Sequence, residues 1–222
     1  MLMAESRPTL KSILIYVCLF FLVWTIRATV LFRVDASIAS EVWRNVYSNV
    51  VKFVVWVGPV FFYLRRVDGR EPFRYLKLST RPERSGLPRA LVVVIVYFSL
   101  VLIISLFVQG KRVSLNFNAV ALASTAVSSL SEEIMFRGFL LNELRERVRF
   151  RSANLLTAIL FALIHVPNWL WTRGFQMSLL FDLVGVFALA CLLGYLLKRT
   201  NTLWVCVGAH VFNNFLSSLL RG

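Results

Sequence analysis

Two adjacent carboxylates, Glu132 and Glu133, stand in a largely apolar stretch, with Arg137 four residues after the second. Ionisable groups inside a bilayer cost roughly 2.5–3.5 kcal/mol each on insertion scales, so they are functional candidates by default. A later apolar run reads Phe161-Ala162-Leu163-Ile164-His165, and another reads His210-Val211-Phe212-Asn213-Asn214. The chain has 2 histidines, and both fall inside such runs. A carboxylate and an imidazole that reach one water make a general base.

Helical spacing separates the two glutamates. Glu133 precedes Arg137 by four residues, the favoured order for an ion pair on one helix face, which makes these two structural supports of the site. Glu132 points about 100° away and has no basic residue at the third or fourth position after it. It is the carboxylate expected to face a cavity and to be catalytic. His210 and Asn214, also four apart, share a face. Pro167 interrupts the hydrogen bonding just after His165 and kinks that segment. The kink suits a water-filled cavity and equally the packing of a bent helix. Asp182 has no partner by spacing and is not read as catalytic.

Two accounts of the chemistry stay open. There is no HExxH, so the usual zincin arrangement is not indicated, and a metal-free glutamate mechanism is the first reading. Glu132, His165 and His210 could nevertheless form a zinc site with three protein ligands. Cys206, four residues before His210, could add a soft ligand but reads first as core packing. Cys18, Cys191 and Cys206 all lie in apolar runs, without metal-binding or disulfide spacing.

The elements that must position these groups are membrane helices. Of 222 residues, 58% are hydrophobic and 16% charged, against about 45–50% and 25% in a typical soluble domain. Roughly 20 apolar residues span a bilayer core. Seven segments meet this, at about 12–32, 46–64, 89–108, 117–142, 153–172, 178–197 and 203–220. The expected fold is all-α: a polytopic transmembrane helical bundle of seven helices, with eight as the alternative. It forms one integral membrane domain over 1–222, whose chemistry lies in 117–222. The first run lacks a small-residue cleavage site and reads as a retained helix.

Formal net charge is +14. The basic residues lie between apolar runs without any nucleic-acid-binding motif, so no nucleic-acid partner is expected. With the N-terminus in the cytoplasm, inner loops collect sixteen Lys and Arg, eight of them in the loop from Arg65 to Arg89, and outer loops six. That bias selects N-terminus in and C-terminus out. Trp169 and Trp171 then fall near the outer interface and Trp204 near the inner one. The long basic loop is expected to lie on anionic lipids of the cytoplasmic leaflet. Counted from their inner ends, Glu132, His165 and His210 sit roughly 15, 18 and 10 Å deep, at one level on the cytoplasmic half.

EExxxR, FxxxH and HxxxN, in this order on successive membrane helices, resemble the three motifs of the CPBP family of CAAX proteases and bacteriocin-processing enzymes, also called Abi. The likeness runs from about Ser128 to Leu216. It implies an intramembrane endopeptidase acting on a membrane-associated protein or peptide. In it, Glu132 and His165 would activate water, His210 and Asn214 would stabilise the oxyanion, and Glu133 and Arg137 would hold the architecture. Family members include enzymes that trim prenylated C-termini, and eight helices are typical of the eukaryotic and archaeal ones. The short chain suggests a prokaryotic cell membrane. Two other classes fit the same residues: a non-catalytic membrane binding protein for bacteriocin immunity or scaffolding, and a transporter or proton relay.

Overall fold

The computed structural model describes residues 10–115 and 118–221. Arg7, one of the sixteen inner Lys and Arg counted above, and Phe117, the first residue of the fourth expected segment, lie outside them. The described chain is helical almost throughout. Helix α1 (Leu10–Thr29) and the short α2 (Phe32–Ser37) lead into α3 (Glu41–Trp56), which continues through α4 (Gly58–Phe62) and a π-helical turn at Tyr63–Val67. A loop carrying α5 (Pro72–Tyr75) connects to α6 (Leu87–Ile103). Helix α7 (Ala119–Glu133) widens into a π-helical stretch, Ile134–Leu140, and ends in α8 (Leu141–Arg145). Helices α9 (Phe150–Leu163), α10 (Val166–Arg173), α11 (Ser178–Thr200) and α12 (Leu203–Leu219) complete the bundle. A two-residue ladder, β1 (Arg112–Val113) against β2 (Leu220–Arg221), ties the end of α12 to the α6–α7 connection.

Local chemistry sets these boundaries. Ser40 caps α3 by accepting from the Trp43 N–H, and Asn118 caps α7 by accepting from Val120 and Ala121. Pro88 and Pro167 occupy the first turns of α6 and α10, where a missing N–H costs nothing. Asn201 ends α11 in the left-handed conformation, with φ of 53°.

Four helical stretches are long and apolar enough to cross a membrane: Leu10–Ser37, Arg84–Val108, Phe150–Arg173 and Ser178–Thr200, with a shorter apolar helix at Leu203–Leu219. The protein is an integral membrane, all-α helical bundle. The second and fourth expected segments are helical too, but they carry Lys52 or Glu132, Glu133 and Arg137. Their charges hold their hydropathy down, and the same charges form the site.

The connections separate into two ends. At one, the Glu83 N–H donates to the Thr200 carbonyl, the Leu203 N–H donates to Lys77, and Arg70 pairs with Glu146 at 2.7 Å. Glu143, fully buried there, accepts from the Tyr75 hydroxyl at 2.6 Å. Burial first, and this bond second, push the Tyr75 phenol far above its ordinary range. At the other end, Asn118 reaches Glu41, and the Ser114 N–H donates to the Leu219 carbonyl. The long basic loop belongs to the first end.

Gly86 marks a place where two segments touch backbone to backbone at that end. A Cβ there would lie 1.7 Å from the Arg199 carbonyl oxygen. Gly86→Ala is expected to cost about 1–3 kcal/mol through forced backbone displacement. Thermal unfolding in detergent reads this out, and an unchanged midpoint would contradict the close approach.

Candidate active site

Glu132, on α7, is drawn out of isolation by a residue that spacing did not associate with it. Lys52, on α3, forms an ion pair with the Glu132 Oε1 and donates to the Ser128 hydroxyl at 2.6 Å. Its ammonium also lies 4.6 Å from the Trp56 ring centre and 5.6 Å from that of Trp24, an attractive arrangement that strengthens as water is excluded. The carboxylate expected to stand without a basic neighbour has one from another helix.

Glu133 and Arg137 pair within their helix at 3.0 Å, Glu133 fully buried and Arg137 nearly so. The same Glu133 Oε1 accepts from the Nδ1 of His210 at 2.8 Å. Since a carboxylate only accepts, that nitrogen carries the proton, and the ring is oriented with Nε2 3.7 Å from the Glu132 Oε2. Glu133 therefore reaches two motifs at once, and His210 bridges the two glutamates.

His165 sits at the break between α9 and α10. Its Nδ1 lies 2.7 Å from the Phe161 carbonyl, an acceptor, so Nδ1 is protonated and Nε2 keeps a lone pair. The break comes from Pro167: α9 stops at Leu163, and α10 begins anew at Val166. Phe161 packs among the motifs, its ring centre 5.0 Å from those of Phe136 and His165, 5.8 Å from His210, and 4.2 Å from the Arg137 guanidinium.

Glu132 and His165 line one cavity of about 240 Å³, together with Trp24, Arg27, Asp35, Ser48, Lys52 and Asn168. Asn214 is placed differently. Its amide donates to the Ser129 hydroxyl at 3.1 Å and faces a second cavity, shared with Asn118 and Thr125. Asp182 pairs with Arg173 at 2.8 Å, far from the glutamates in sequence and half-exposed. Cys206 is fully buried, its thiol directed at the Leu193 carbonyl.

Among the described residues, no three His, Cys, Asp or Glu side chains are grouped so as to hold a metal ion. Lys52 occupies one Glu132 oxygen and Glu133 holds the His210 Nδ1, which leaves the Glu132 Oε2 and the His210 Nε2, 3.7 Å apart, as the atoms of the expected three-ligand set that face a ligand.

The site thus combines, in a helical membrane bundle, a buried Glu–Lys pair, a histidine at a helix break and a polar cavity. Comparison with known families adds the protein class. Residues 114–216 match the family model described as "Type II CAAX prenyl endopeptidase Rce1-like". This is the CPBP and CAAX protease family that the three motifs resemble, and the match covers the stretch that carries all of them. No curated protein and no solved structure matches the chain.

Proposed function

We propose that this protein is an intramembrane endopeptidase that hydrolyses a peptide bond with water activated by Glu132 and His165. What carries the reading is convergence: two polar side chains from motifs on separate helices, α7 and the α9–α10 break, face one cavity. The matched family supplies the reaction class, and a peptide or protein as substrate.

In this reading the Glu132 carboxylate and the unprotonated Nε2 of His165 take a proton from water as its oxygen adds to the scissile carbonyl carbon. The electron pair of the carbonyl moves to oxygen, and donors facing the cavity hold that oxyanion. Collapse of the adduct breaks the C–N bond, and the proton passes to the leaving amine. General-base participation of this kind typically contributes about 10²–10⁴ in rate. Lys52 acts as a positioning residue, keeping Glu132 ionised and fixed. His210 is oriented by Glu133, and Asn214 supports α12 against α7 through Ser129.

The test compares protein termini in host membranes by mass spectrometry, with the wild-type chain against Glu132→Gln at matched expression. A defined set of new termini is expected with the wild type and absent with the variant. Identical termini in both would sink the reading and return the site to a binding or relay role.

A further inference from the structure

The cavity that holds Glu132 and His165 is not symmetric between the two ends of the bundle. On one side of the pair the residues are polar and lead outward. Arg27 and Ala28 lie near the end of α1, Asp35 is in α2, Ser48 is in the first half of α3, and Asn168 follows the helix break. All belong to the end where Asn118 reaches Glu41. Arg27 and Asp35 pair at 2.5 Å at the mouth, and the same guanidinium reaches Ser48 at 3.5 Å.

On the other side the way is closed by rings. Phe136 and Phe139 stand one and two turns beyond Glu132, Trp56 one turn beyond Lys52, and Phe161 one turn beyond His165, each at most 2% exposed. Phe20 closes the set, its ring centre 4.9 Å from Trp56 and 6.2 Å from Phe136. Phe136 in turn lies 5.0 Å from Phe161. A close-packed aromatic layer leaves no passage for a peptide or a file of water.

The closed side faces the basic end. Arg65, Arg66, Arg70, Arg74, Lys77, Arg81, Arg84 and Arg89 lie there, as do Arg145 through Arg151 and Lys198 with Arg199. Among the described residues, the open side receives six Lys and Arg in its loops against fifteen at the basic end. Such a bias over short loops fixes the basic end in the cytoplasm.

Resting on the peptidase reading for its chemistry, we infer that the catalytic cavity opens to the extracytoplasmic face, and that its substrate is an extended segment of an exported or membrane-anchored polypeptide. The site lies outside the cytoplasmic half: Glu132 is thirteen residues from either end of the run from α7 to α8, and His165 is fifteen residues from the start of α9 and eight from the end of α10. The mouth suits such a substrate. Its Arg27, Asp35, Ser48 and Asn168 offer donors and acceptors to an unpaired peptide backbone, which in a bilayer must be satisfied by protein or water. A lipidated cytoplasmic tail would meet the aromatic layer.

Three single variants read the direction: Ser48→Cys and Asn168→Cys at the cavity, and Ser85→Cys in the basic loop. Intact cells are treated with a membrane-impermeant maleimide, with the parent chain as blank. Its Cys18, Cys191 and Cys206 lie within helices. Ser48→Cys and Asn168→Cys are expected to take up on the order of tenfold more label than the parent, as water-exposed thiols ionise and react. Ser85→Cys should label only after permeabilisation. The reverse pattern overturns the inference. Among Glu132-dependent termini, cuts in extracytoplasmic segments support the substrate class, and cuts confined to cytoplasmic segments overturn it. Absence of Glu132-dependent termini would instead strike the peptidase reading, while the labelling still decides which way the cavity opens.

Discussion

Replacing Arg137 with methionine is expected to destabilise the folded protein by about 3–5 kcal/mol, the usual consequence of leaving one partner of a buried ion pair uncompensated. Glu133, which is fully buried, would lose its 3.0 Å partner, and the Phe161 face would lose the guanidinium 4.2 Å above it. Unfolding in detergent measures the loss, and a change below about 1 kcal/mol would show that the pair contributes little. A double replacement, Glu133→Leu with Arg137→Met, removes both charges and should restore much of the stability, because well-packed apolar pairs often equal a buried ion pair. Activity should not return with it. The His210 Nδ1 would have no acceptor, and the ring would no longer be held toward Glu132. Recovery of both properties together would show that Glu133 and Arg137 serve the helix alone.

What spacing could express, the sequence expressed. The Glu133–Arg137 pair is an i,i+4 relation within one helix, and the break after His165 follows from Pro167. Contacts across the bundle were out of reach for a physical reason: no periodicity records how one helix is rotated against another. His210 and Asn214 share a face of α12, yet four residues along a helix are about 6 Å. That is enough for the first to meet Glu133 and the second Ser129. Lys52 is the instructive omission. It is a cation in an apolar segment, so the rule that singled out the glutamates singles it out as well. Its membership in a site was legible, whereas its partner, eighty positions away, was not. The cavity's direction needed both kinds of information. Loop charges distinguish the two ends in sequence, but only the packed rings of Trp56, Phe136 and Phe161 show which end is closed.

Lys52 also carries the other large effect, on turnover. Lys52→Met should reduce kcat by about 10²–10⁴, approaching the loss from removing the general base itself. A carboxylate stripped of its counter-charge inside a bundle is driven to take up a proton, and a protonated Glu132 cannot accept one from water. If Lys52 acts only through Glu132, KM should stay near the wild-type value, since uniform substrate binding is untouched. The double variant Lys52→Met with Glu132→Gln should then be scarcely worse than Glu132→Gln alone, because two changes that disable one unit do not add. Lys52→Arg keeps the charge but replaces a compact ammonium with a planar fork beside the Trp24 and Trp56 rings and the Ser128 hydroxyl. Partial activity is expected from it, above Lys52→Met and below wild type. A raised KM with kcat preserved would assign Lys52 to substrate anchoring, and fully additive losses in the double variant would detach it from Glu132 altogether.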